Sequence, residues 1–160
     1  MARYVIDAPT LLHLVDAGLD VHPGHQLVAP NSVRSEALEL LLRDVHAGKR
    51  TEAAALQAHE RMTEIKIRSL GDRVSRRTSW RIAREHDWDT LRHAEYLAIT
   101  RLQADALITV DPNLAATARD VVAVADIGEL LTGRSEAPAS ETSSRGTAHG
   151  ARDPRPPSMR

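Results

Sequence analysis

The 160-residue chain has no cysteine and no phenylalanine, and only two tryptophans and two tyrosines. Without cysteine there is no disulfide framework, no thiolate nucleophile and no cysteine-ligated zinc centre. Apolar residues make up 42% of the chain but aromatics 2%, so a core has to be built from Leu, Val, Ile and Ala. No apolar run approaches the ~20 residues that span a bilayer. The opening MARYVIDAPTLLHLV is broken by Asp7 and Pro9, unlike a signal peptide. These absences predict a soluble, cytoplasmic protein with no membrane partner. The net charge of −1 supplies no global basic field of the kind that marks nucleic-acid binding. Lysine is confined to Lys49 and Lys66, so nearly all positive charge is arginine, which pairs better with phosphate. Coding bias produces the same imbalance. A glycine-rich phosphate loop and a nucleophile elbow are also missing, which argues against P-loop, dinucleotide and serine-hydrolase chemistry.

What is present divides into two parts. From Arg134 to Arg160 the chain is rich in Ser, Ala, Pro, Gly and Arg and has no apolar periodicity. Such a segment buries too little surface to offset its ordering entropy, and it is expected to be a disordered tail. Residues 1–133 alternate short apolar runs with helical patterns. RYVID, QLVAP, EIKIRS, DALITVD and VVAVAD read as strands. Between them lie PTLLHLVDAG, stopped by Gly18, and NSVRSEALELLLRDVHAG, capped by Asn31 or Ser32 and stopped by Gly48. TEAAALQAHERM, an Arg-rich GDRVSRRTSWRIAREHD, DTLRHAEYLAITRLQA and PNLAATAR complete the helices. This alternation predicts a parallel sheet covered on both faces, whose ligands bind outside the carboxyl ends of the strands.

Four acidic positions fall where they can meet. Asp7 and Asp111 end strands, Glu36 lies in the first two turns of the second helix, and Asp89 opens the long helix. Carboxylates gathered at strand ends repel one another and lose hydration, and a bound divalent cation removes that cost. Oxygen ligands suit Mg²⁺ or Mn²⁺. Taken singly, Asp7, Asp89 and Asp111 are also good helix N-caps, and Glu36 with Glu39 is also a solvated pair.

The runs YVIDAPTLL, VAPNSVRSEALELL, TLRHAEYLAIT and LITVDPNLA resemble, in order, the four sequence blocks of PIN-domain ribonucleases over roughly residues 3–131. Within that family the runs look like those of the VapC-type toxins of bacterial toxin–antitoxin pairs. The resemblance implies an α/β, PIN-like three-layer fold: a short parallel sheet of four to five strands with helices on both faces. It implies a metal-dependent endoribonuclease using Mg²⁺ or Mn²⁺ and a water nucleophile, a homodimer, and a small antitoxin that blocks the cleft with a basic side chain. Asp7 matches the first metal-binding aspartate, Thr10 the hydroxyl residue three positions on, Glu36 the glutamate of the second block, and Asp111 the acid after the fourth strand. The third block departs from the family: His93-Ala94-Glu95-Tyr96 stands where an aspartate would precede the alanine. His93 is then a nitrogen ligand, a tolerated change or an inactivating one. Asp89, four residues earlier on a helix, is expected to help it. Glu95, about 200° around the helix, is the poorer substitute. The alternative function is a weak or silent PIN-fold protein acting as an RNA- or protein-binding module.

Two further groups stand out. Arg73, Arg76, Arg77, Arg81 and Arg84 form a cluster suited to an RNA backbone, or an ordinary solvated helix face. His22 and His25 flank Pro23-Gly24 and read as a surface loop.

Overall fold

A computed structural model describes residues 1–133; the expected tail lies outside the described residues. The chain runs β1 (Ala2–Ile6), α1 (Ala8–Ala17), β2 (His25–Pro30), α2 (Val33–His46), α3 (Glu52–Glu64), β3 (Ile67–Leu70), α4 (Arg73–Glu85), α5 (Arg92–Gln103), β4 (Ala106–Ile108), α6 (Pro112–Ala118), β5 (Val124–Ala125) and α7 (Gly128–Leu131). All five strands are parallel, in the order β3-β2-β1-β4-β5. The order reverses beside β1, and such switch points open a crevice at the carboxyl edge of a sheet.

β1 is buried because Tyr4, Val5 and Ile6 have neighbours on both sides: Tyr4 pairs with Leu27 of β2 and with Ala106 of β4. α1, α2 and α3 pack on one another. α5 lies across β1, β2 and β4 and is covered by α4. Leu11, Leu14, Leu41, Met62, Ile82, Leu97, Leu107 and Ile108 are fully buried, so the core is aliphatic as its composition requires. Each such side chain contributes about 1.5–3 kcal/mol by leaving water. Tyr96 is the large exception, and its placement matters to the site.

Helix ends follow the local chemistry. Gly18 closes α1 at φ 61°, donating its N–H to the Leu14 and Val15 carbonyls, a left-handed conformation that costs other residues strain. Gly48, at φ +72°, stands just past α2 in the same way. The start of α5 corrects the sequence reading. Asp87 takes a left-handed φ of 56°, and Trp88 N–H reaches back 2.9 Å to the Ala83 carbonyl, so the chain is still closing α4 at that point. The helix therefore begins at Arg92 with Leu91 as its cap, leaving Asp89 outside it. The short α7 was not anticipated. Among the described residues, no helix is long and apolar enough to cross a membrane.

Candidate active site

β1 and β4 run in register, with Ile6 beside Ile108, so Asp7 and Thr109 leave the sheet at the same level. Asp7 is 3% exposed and caps α1, with Oδ1 accepting from the Thr10 N–H at 3.2 Å. The Thr10 hydroxyl also donates to Oδ1, and the Thr109 hydroxyl donates to Oδ2 at 2.7 Å. Each hydroxyl is fixed in turn from behind: Thr10 Oγ1 accepts from Val110 N–H and Thr109 Oγ1 from Asp111 N–H, both at 3.0 Å. Two threonines thus tie the turn after β4 to the carboxylate after β1. Burial pushes the Asp7 carboxyl above its usual range, with the charge of Asp111 adding to it, while the three hydrogen bonds from Thr10 and Thr109 pull the other way.

Asp111 caps α6 through the Asn113 N–H at 2.9 Å, with Pro112 in the first turn. The capping reading and the strand-end reading are therefore both true of Asp7 and Asp111. Glu36 reaches the same place from α2. Its Oε1 accepts from Ser32 at 3.2 Å and its Oε2 from the Tyr96 hydroxyl at 2.5 Å. Burial, then the Glu36 charge beside it, raises the Tyr96 hydroxyl far above the ordinary phenol range, so it stays protonated and donating.

Asp7, Glu36, His93, Tyr96 and Asp111 line one cavity of about 160 Å³, rimmed by Glu39, Arg43 and Arg92. His93 faces the acids as a half-buried side chain. Asp89 does not: it is exposed, precedes the helix and is absent from the cavity wall, so it neither shares a helix face with His93 nor joins the acids. Glu95 turns away from this cavity into the next one, and burial and then Glu36 raise its carboxyl. Thr10 is fully buried and orients Asp7, leaving no hydroxyl free for a substrate. Arg73, Arg76, Arg77, Arg81 and Arg84 are all exposed along α4, and Arg76 also donates to the Gly71 carbonyl at 2.9 Å. The sequence reading missed Thr109, Arg43, Arg92 and the role of Tyr96, although Tyr96 lies in the third block.

None of the ion pairs among the described residues involves Asp7, Glu36 or Asp111. Their oxygens form a hard donor set, which fits Mg²⁺ or Mn²⁺ in kind. No three His, Asp or Glu side chains among the described residues converge tightly enough to form a ready-made metal cage. That geometry is compatible with Mg²⁺, which keeps several waters and takes one or two carboxylates directly.

No family model matches the chain, and no curated protein does. Solved structures do. PAE2754 from Pyrobaculum aerophilum aligns with a TM-score of 0.60 at 21% identity, over 81% of this chain and 94% of that one. VapBC-1 from nontypeable Haemophilus influenzae aligns with a TM-score of 0.50 at 13% identity, over 78% of this chain and 97% of that one. The fold is PIN-like. At these identities the likeness concerns the fold, and the chemistry has to be argued from the side chains.

Proposed function

We propose that this cavity is the active site of a metal-dependent endoribonuclease. The observation that carries the reading is the meeting of Asp7, Glu36 and Asp111, from three separate elements, in one cavity, none of the three held in an ion pair among the described residues. Asp7, Asp111 and Glu36 are the residues that would hold Mg²⁺ or Mn²⁺. When bound, such an ion supplies a Lewis acid and an activated water for attack on a phosphodiester. Thr10 and Thr109 hold the Asp7 carboxylate in one orientation, Tyr96 and Ser32 do the same for Glu36, and Arg92 and Arg43 offer charge to a phosphate at the rim. The exposed arginines of α4 extend that attraction along an RNA backbone.

The likeness to VapBC-1 supports a toxin role with a small antitoxin as partner; a homodimeric assembly rests on the sequence resemblance alone. A second reading, a weak or silent RNA- or protein-binding module, is favoured by His93 standing in the cavity wall in place of an acid. The deciding experiment incubates the purified protein with total RNA across Mg²⁺, Mn²⁺ and chelator, and maps the ends produced. Metal-dependent cleavage that is lost in Asp7→Asn supports the nuclease. Equal cleavage by Asp7→Asn, or none by the wild type, sinks it.

A further inference from the structure

A second cavity, of about 180 Å³, lies against the first, with Asn31, Ser32, Arg76 and Glu95 among its lining residues. The two share a wall: Ser32 lines the second and donates to Glu36, which lines the first. Consecutive residues of α5 divide between them, Tyr96 to the acids and Glu95 to the new cavity. The volume falls below the ~300 Å³ at which drug-sized pockets begin, so its occupant is a fragment such as one planar ring system.

The lining fits a base. Pro30, Leu70 and Ile99 give aliphatic surface for the faces of a ring. Around them stand an acceptor and donors that the protein leaves available. The Glu95 carboxylate forms neither an ion pair nor a hydrogen bond among the described residues. The Arg76 fork uses one nitrogen on Gly71 and keeps others, and the Asn31 amide lies across the rim. Gly71 makes room for that amide, since a Cβ there would sit 2.4 Å from Asn31 Nδ2.

Resting on the nuclease reading for its substrate, we infer that this cavity is a specificity subsite for a single guanine base flanking the scissile phosphate. A carboxylate accepts from two adjacent N–H groups, and guanine offers such a pair on its Watson–Crick edge, beside a carbonyl oxygen suited to Arg76 or Asn31. Adenine presents an acceptor where guanine presents the ring N–H, so it leaves the carboxylate unpaired. Unstacked bases of single-stranded RNA are read in this way, by edge hydrogen bonds.

The test uses the full chain and does not require turnover. Titration with 5′-GMP, 5′-IMP, 5′-AMP and inorganic phosphate, followed by NMR or calorimetry, separates base from phosphate binding. GMP should bind most tightly, IMP less, and AMP and phosphate weakest. Glu95→Gln should weaken GMP about tenfold, within the range expected of one bidentate base contact, and leave phosphate unchanged. Asn31→Ala gives a second, smaller loss. Equal affinity for GMP and AMP, or an unaffected Glu95→Gln, overturns the subsite. Cleavage without guanine preference at the mapped ends overturns it while leaving the nuclease intact. Glu95-dependent GMP binding without any cleavage leaves the subsite and removes the nuclease.

Discussion

Tyr96 donates its hydroxyl to Glu36 across 2.5 Å, joining α5 to α2 over a separation of 60 residues. The ring is one of the largest fully buried side chains, so its polar tip needs a partner, and Glu36 needs a donor to stay aimed at the cavity. Tyr96→Phe should therefore cost about 1–2 kcal/mol of stability, the usual penalty for stranding a part-buried acceptor. Urea unfolding reads it. Cleavage should fall as well, through a mobile Glu36, and a variant matching the wild type in both would show the bond to be incidental.

Asp7 sets stability against activity. Its carboxyl is raised by burial, so folding disfavours its charged form. A raised acid contributes stability below its unfolded value and loses it as pH rises through the folded one. In chelator at pH 7, Asp7→Asn should then be at least as stable as the wild type, and the gap should close as the wild type is acidified. Mg²⁺ should raise the melting temperature of the wild type but not of the variant, because ligands stabilise by binding the folded form. A strongly destabilised Asn variant would contradict this account of Asp7.

Arg50 works in the opposite direction and away from the site. Its guanidinium donates twice to Asp16, at 2.8 and 2.7 Å, and once to Asp44 at 3.1 Å, fastening the end of α1 to the end of α2. Hydrogen bonding from Arg50 holds the Asp16 carboxyl below the usual range. Such a group adds stability above its unfolded value and loses it as pH falls through the folded one. Arg50→Ala should cost about 1 kcal/mol at neutral pH, since Asp16 is 43% exposed and water screens the pair. The difference should vanish on acidification below the carboxylate range, as thermal unfolding across pH can show.

The strand pattern and helix stops were readable because they depend on near neighbours: β-branched runs make the strands, and Gly18 and Gly48 supply the left-handed turns. Asp7, Glu36 and Asp111 were readable as a set because strand ends and the first turns of following helices share one edge of a parallel sheet. Asp89 was misplaced because the turn that ends α4 extends to Trp88, through a left-handed Asp87 that periodicity does not reveal. Thr109 and Glu95 depend on register and on how α4 and α5 pack. Thr109 meets Asp7 only because Ile6 pairs with Ile108. Glu95 gains its cavity only because Ser75 and Arg76 face it from α4.

The arginines of α4 give a prediction about salt. Arg73, Arg77, Arg81 and Arg84 recur at helical spacing on an exposed face, around a Trp80 that is 63% exposed. Each arginine that neutralises a phosphate of single-stranded RNA adds about 0.7 to the slope of log affinity against log salt. Replacing Arg73, Arg77 and Arg81 together by Ala should lower affinity for all RNA sequences alike and flatten that slope by about 2. Because these side chains lie outside the acidic cavity, cleavage of RNA at saturating concentration should be unchanged. An unaltered slope would make the stripe a solvated face.

His93 decides between a working site and a dormant one. It occupies the cavity wall with Asp7, Glu36 and Asp111, where its imidazole offers a nitrogen donor that Mg²⁺ binds poorly and Mn²⁺ somewhat better. No acid from the preceding turn replaces it, since Asp89 stands outside. His93→Asp adds a fifth carboxylate to a cavity that already holds Asp7, Glu36, Glu39 and Asp111, and since Arg43 pairs with Glu39 it is Arg92 that partly matches the extra charge. The variant should reach half-maximal cleavage at about tenfold less Mg²⁺, equivalent to ~1.4 kcal/mol, and should lose any preference for Mn²⁺. If it instead cleaves less than the wild type in both metals, the imidazole is itself a working ligand, and the site is a histidine-adapted form of the acidic arrangement.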